Sequence, residues 1–211
     1  MRLTIKQAEN IAGSLSAPSK MPGYGYGLPA LTSCTVGSIL ATIPNSVCSK
    51  CYACKGRYIM PVTQAAQLKR LRAVTNNPLW EQAMIALISR KKEKYFRWHD
   101  SGDLLGLWHL EKICRIAVAL PDFKFWLPTN EHKIVKDYVA ANQLFPPNLV
   151  VRISTPMIDS KPINSSFCTS SVHKDKPANG YECQAPLHNN TCGPCRACWN
   201  PNIKNVSYHS H

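Results

Sequence analysis

Tyr95-Phe96-Arg97-Trp98-His99 is a short aromatic run, and the residues after it change period. Residues 105–120 repeat apolar side chains at helical spacing, with Leu107, Leu110, Ile113, Cys114 and Ala117 on one side. Residues 123–127 alternate, with Phe123, Phe125 and Leu127 on one face. A second helical pattern covers 131–142 through Ile134, Val135, Tyr138 and Val139, and 149–153 is an apolar strand. Strands recurring about every 25–30 residues with a helix between them predict right-handed βαβ units and a parallel sheet. At 211 residues the chain is shorter than the ~250 of a full eight-unit barrel. The expected fold is α/β: a partial parallel (βα) barrel or an open parallel sheet. Cys114, on an apolar helix face, reads as a buried small hydrophobe.

Upstream, two more helices are expected. One covers 61–75, with Pro61 in its first turn and Val62, Ala65, Ala66 and Leu68 as its apolar face. The other covers 78–92, capped by Asn77, with Trp80, Ala83, Met84, Leu87 and Ile88 inward and Arg90, Lys91 and Lys92 in its last turn. Residues 1–33 carry too much Gly and Pro for a long helix or strand; their tyrosines would pack on the body or line a pocket. From Pro156 onward both periodicities stop. The expectation is a core over 1–155 with a cysteine-rich N-terminal loop, and an irregular cysteine-rich extension over 156–211 packed on it. A tail this long needs a staple, and bound metal would supply one.

The thiols point the same way. Cys48, Cys51 and Cys54 stand at C-x2-C-x2-C spacing, and Cys192, Cys195 and Cys198 repeat it. Two intervening residues let a tight turn aim several sulfurs at one centre. Cys34 lies thirteen residues before Cys48 and is a candidate fourth ligand. Cys183 completes C-x8-C-x2-C-x2-C at the other end, and Cys168 is a spare. His209 and His211 either ligate or fray. Triplets with one remote partner are closer to ferredoxin-type ligation than to the paired knuckles of zinc sites. The expected cofactors are therefore one or two [4Fe-4S] clusters, with zinc as the alternative.

Bulk composition agrees. The chain has ten cysteines, 18% charged and 45% hydrophobic residues, which is a folded globular protein. It has no apolar run of membrane-spanning length and no apolar signal core at its start. This predicts no membrane and a reducing cytoplasm, where clustered thiols mean metal rather than disulfides. The net charge is +13, with Lys and Arg concentrated between Lys50 and Arg97. A basic face attracts nucleic acid or an acidic partner, or is merely solvated. Sequence gives no oligomeric state.

Parallel α/β folds bind ligands at the carboxyl ends of their strands. Three polar clusters fall there: His99-Asp100-Ser101-Gly102-Asp103, Thr129-Asn130 and Ser154-Thr155. They form a ligand rim or, individually, cap helices and turns. His99 and Asp100 are candidates for proton transfer or a structural pair.

The order of thiol loop, Ser101-Gly102-Asp103-Leu104, Thr129-Asn130 and Ile153-Ser154-Thr155 resembles the radical S-adenosylmethionine (SAM) superfamily. That likeness implies that Cys48, Cys51 and Cys54 hold a [4Fe-4S] cluster with one open iron. It also implies that Ser101, Gly102, Asp103, Thr129, Asn130 and Ser154 orient SAM. The chain departs from the pattern in its first cysteine gap, in its loose G-G-E-P counterpart and in Glu131 where a glycine is expected. A second likeness spans nearly the whole chain. Lys20-Met21-Pro22-Gly23, Cys51-Tyr52-Ala53, Lys55-Gly56-Arg57-Tyr58, Trp98-His99-Asp100-Ser101-Gly102-Asp103 and Cys195-Arg196-Ala197-Cys198-Trp199 resemble the "gene product 88" family of phage and mobile-element proteins. It implies a phage source and hence a host cytoplasm. Two functions follow. One is a radical-SAM-like iron–sulfur protein with a second, auxiliary centre at Cys183, Cys192, Cys195 and Cys198. The other is a non-catalytic metal-stapled binding module using its basic face for nucleic acid or a host protein.

Overall fold

The structure, a computed structural model, describes residues 3–141, 143–163 and 166–210. Asn142 and His211, which entered the expectations above, lie outside the described residues. The chain builds a seven-stranded sheet from β1 (Tyr24–Tyr26), β2 (Tyr95–Trp98), β3 (Lys124–Thr129), β4 (Leu149–Ser154), β5 (Cys168–His173), β6 (Tyr181–Glu182) and β7 (Asn205–His209). The spatial order is β1-β2-β3-β4-β5-β7-β6, and every pairing is parallel. The sheet is open: β1 and β6 are its two edges. Its helices are α1 (Ile5–Ala12), α2 (Thr35–Ala41), α3 (Pro61–Asn76), α4 (Trp80–Ser89), α5 (Leu107–Ala119) and α6 (His132–Ala140).

The periodicities of 95–153 translate directly. Leu110, Ile113, Cys114 and Ala117 of α5 are buried, as are Phe125 and Leu127 of β3. Around them the aromatic rings of Tyr26, Trp80, Phe96, Trp98 and Phe125 meet edge-on, tilted or stacked. Each such side chain contributes about 1.5–3 kcal/mol by leaving water. Tyr26 donates its hydroxyl proton to the Ala12 carbonyl at 2.5 Å and accepts from Trp80 Nε1 at 3.0 Å, which satisfies both of those polar groups, whereas the indole nitrogen of Trp98 is buried without a partner.

Four expectations need correction. First, the inner face of α3 is not Val62, Ala65, Ala66 and Leu68: Val62 is 72% exposed and Leu68 42%. Gln67, Arg70, Ala73 and Val74 are buried instead. Gln67 donates to Ser101 Oγ at 2.8 Å and Arg70 donates to the Ser14 carbonyl at 2.9 Å, so polar partners outweighed apolar pattern. Second, α4 starts at Trp80 and ends at Ser89, which leaves Arg90, Lys91 and Lys92 beyond it. Asn77 still organises the entry, its side-chain oxygen accepting from the Leu79 N–H at 3.0 Å. Third, two short helices were left out: α1, eight residues inside the stretch held to no long helix or strand, and α2 just beyond it; α1 carries a capping box between Thr4 and Gln7.

Fourth, the tail is not irregular. It supplies β5, β6 and β7, and β4 pairs with β5 at Arg152↔Cys168, Ile153↔Thr169 and Ser154↔Ser170. These strands escaped notice because their inward residues are polar. Thr169 donates to Asn205 Oδ1 at 2.8 Å, and Asn205 donates to Ser171 Oγ at 2.9 Å. A buried polar strand is tolerable when its groups satisfy one another. The tail also has a staple that needs no metal. Arg152, fully buried, donates to the carbonyls of Thr169, Ala197, Cys198, Asn200 and Ile203 at 2.9–3.2 Å. No helix among the described residues is long and apolar enough to cross a membrane.

Candidate metal centre and ligand cavity

A cavity of about 340 Å³ opens at the carboxyl ends of the strands. Its thiol wall is built after β1. The N–H of Val36 in α2 donates to Glu131 Oε1 at 2.8 Å, which ties that helix to the end of β3. Gly37 makes room for sulfur: a Cβ there would stand 2.9 Å from Cys34 Cβ and 3.6 Å from Cys48 Sγ. The next loop turns through Cys51 N–H to Cys48 carbonyl at 3.2 Å and Cys54 N–H to Cys51 carbonyl at 3.1 Å. Cys34, Cys48 and Cys51 line the cavity, whereas Cys54 is exposed and does not. Burial, then the nearby Asp103, pushes the Cys34 thiol up to about 12. Burial, then Cys51, does the same to Cys48. Thiols of this kind take up metal only by releasing protons.

The opposite wall comes from the ends of β2, β3 and β4. Asp103 accepts from Thr129 Oγ1 at 2.6 Å, the Leu104 N–H at 2.8 Å and the Asn130 N–H at 2.8 Å. Burial nevertheless outweighs these bonds and raises its carboxyl to about 7. Asn130 points its amide nitrogen at Cys48 Sγ, 3.9 Å away, and its side-chain oxygen is buried without a partner. Ser154 Oγ lies 3.3 Å from Ser170 Oγ. Ser101 also borders the cavity, yet its hydroxyl donates to the Leu28 carbonyl at 2.7 Å and accepts from Gln67, a structural engagement. Gly102 sits at φ +77°, where a Cβ would fall 2.5 Å from Ser33 Oγ.

His99 and Asp100 are adjacent but do not hydrogen-bond to each other. His99 borders the cavity at φ +52°, with both ring nitrogens buried and unpartnered. Burial, then Arg97, drops its pKa to about 3, so the ring is neutral. Asp100 lies behind: its carbonyl accepts from the Tyr52 hydroxyl at 2.5 Å, and its Oδ1 has no partner.

Sequence reasoning missed Arg97 as a site residue, counting it only in the basic stretch. It borders the cavity, donates to the Tyr52 hydroxyl at 2.9 Å and stands 4.5 Å over the Trp126 ring. Its charge also acts on Cys192 and Cys198, so it lies between the two thiol groups. The one available signal was an arginine inside an aromatic strand.

In the second group Cys183 acts electrostatically on Cys192 and Cys198, and Cys195 acts on Cys183 and Cys192. Tyr181 and Tyr208 place their hydroxyls 3.3 Å from Cys195 Sγ and 3.1 Å from Cys198 Sγ. Burial pushes Cys198 up to about 12. Cys168 stands apart, its thiol 3.4 Å from the Pro201 carbonyl.

Together these features define an α/β protein with an open parallel sheet and a thiol-lined cavity at its strand ends. The family description "Gene product 88" matches residues 2–201, and the chain belongs to this phage family. No curated protein and no solved structure matches it, and the radical SAM likeness gains no support from these comparisons.

Proposed function

We propose that this is an iron–sulfur protein whose cavity-facing thiols, Cys34, Cys48 and Cys51, hold a cluster with one iron turned toward a small polar ligand of the SAM type. The convergence of those three thiols on one cavity, with Cys54 outside it, carries the reading. The triplet spacing with one remote cysteine favours iron–sulfur over the paired knuckles of zinc sites. The strand order supports the ligand assignment: the thiol loop follows β1, and Asp103, Asn130 and Ser154 follow or end β2, β3 and β4. When bound, such a cluster supplies electrons to its ligand. Asn130 and Arg97 would orient that ligand, one through its spare oxygen and the other through its guanidinium. The four thiols of the tail would hold an auxiliary centre.

The test is iron and sulfide analysis of anaerobically purified protein, followed by electron paramagnetic resonance of the dithionite-reduced form with and without SAM. A cluster signal that changes on adding SAM is expected. A cluster signal indifferent to SAM would leave the rival reading, a metal-stapled binding module. Protein holding zinc and no sulfide would overturn the iron–sulfur assignment itself.

A further inference from the structure

The far edge of the sheet carries a group that neither thiol set uses. His173 ends β5, His209 ends β7 and Glu182 ends β6. Register puts them together: His173 pairs with His209, and Glu182 pairs with Ser207, two residues before His209 and therefore on the same face of β7. Glu182 Oε1 lies 3.6 Å from His173 Nε2 and 2.8 Å from His209 Nε2. One ligand atom from each residue fits within a mutual 4.8 Å, the one such trio among the described residues.

We propose that His173, Glu182 and His209 form a second kind of metal site, for a divalent ion of the zinc(II) or iron(II) class. Ligand atoms around such an ion, at bonds of about 2.1 Å, stand roughly 3.0–3.4 Å apart, and the two distances observed bracket that range. Two imidazoles and one carboxylate are a donor set that leaves coordination positions open. The orienting partner is present as well. Ser207 Oγ lies 2.8 Å from His173 Nδ1; when that nitrogen donates, Nε2 is left bare for a metal. His173 is buried and its ring packs 4.3 Å from that of His209, centroid to centroid. His209 also lines the cavity at the strand ends, so an ion here would border the proposed ligand site without depending on it. It would also tie β6, two residues long and paired only to β7, across three strands.

The test titrates Co²⁺ into the full chain, with its thiol centres left loaded, and follows the absorption spectrum. Cobalt on thiolates gives strong near-ultraviolet charge-transfer bands, whereas cobalt on imidazole and carboxylate gives weak visible bands alone. The expected result is one equivalent bound without charge transfer, weakened about 10-fold or more by Glu182→Gln and by His209→Ala. Glu182→Gln can still accept a hydrogen bond from His209, so it decides the matter if the alanine variant folds poorly. No such equivalent in the unaltered protein, or unchanged affinity in Glu182→Gln, would mean the trio is only a hydrogen-bonded ion pair and would overturn the site.

Discussion

The two thiol groups share their C-x2-C-x2-C spacing and differ in nearly everything around it. The first puts Cys34, Cys48 and Cys51 on a cavity faced by Asp103, Asn130 and His99. The second is wrapped by Tyr181, Tyr208 and the Arg152-bound turn, and none of its cysteines lines that cavity. Spacing says that sulfurs can converge. Surroundings say whether a ligand can reach them.

That contrast can be broken from either side. The largest effect should follow Arg152→Met, which takes a donor from five carbonyls, of which those of Ala197 and Asn200 keep a backbone N–H partner. At about 1–3 kcal/mol for each of the other three, a loss of about 3–9 kcal/mol is expected. Metal analysis and hydrogen exchange should show the second centre lost and 168–209 loosened, with the first thiol group still loaded. Equal loss from both groups would mean they fold as one unit.

Next come Cys34→Ser and Cys54→Ser. The first should remove the cavity cluster, lowering iron by that cluster's share, and the second should leave it in place. The reverse outcome would assign the cluster to the C-x2-C-x2-C loop alone.

A smaller effect is expected from pH, measured by urea unfolding of the reduced, metal-free chain. His99 has its pKa depressed to about 3 from an unfolded value near 6.5, so its contribution is present above 6.5 and lost as pH falls toward 3. Asp103 has its carboxyl raised to about 7, so its contribution is present below about 4 and lost as pH climbs to 7. The two oppose each other between these limits. His99→Asn should leave stability falling with rising pH, and Asp103→Asn should leave it falling with decreasing pH. At about 1.4 kcal/mol per pKa unit, each change spans at most a few kcal/mol. Profiles unchanged by either variant would remove both groups from the account.

The smallest change tests the packing of the first group. Gly37→Ala puts a methyl 2.9 Å from Cys34 Cβ, and overpacking of this kind costs about 1–3 kcal/mol. A modest fall in thermal stability, with weaker retention of iron against a chelator, should follow. A variant as stable as the parent would show that α2 is free to move off the thiols.

The segment from β2 to β4 was legible because its two helices and β3 carry periodic apolar residues and β4 is a continuous apolar run. β1 was hidden by Gly25, and the tail strands by inward Thr, Ser and Asn that pair with one another. Periodicity reads hydrophobic burial and is blind to polar ladders. In the same way, strand-end logic found Asp103, Thr129 and Asn130, which do meet in the fold. It could not separate Ser101, engaged in structure, from Asn130, whose oxygen is spare. Cys34 was legible as a cysteine near other cysteines. His209 was legible as a histidine that ligates or frays, but its grouping with His173 and Glu182 was not, since only the insertion of β7 between β5 and β6 makes them neighbours.

Arg152 has one more consequence. Among the described residues its hydrogen bonds all end on carbonyls and no carboxylate pairs with it, and an unpaired cation in the interior is costly. Its charge acts on Cys198, as does that of Arg97. Four thiolates around a doubly charged iron–sulfur core carry about two negative charges. In the proposed auxiliary centre Arg152 would then be the counter-ion. Arg97 already has the Asp100 carboxylate nearby, so it is Arg152 that a negatively charged centre would compensate. Loading that centre would offset the buried charge of Arg152, so affinity for metal there would depend on that arginine as well as on the sulfurs.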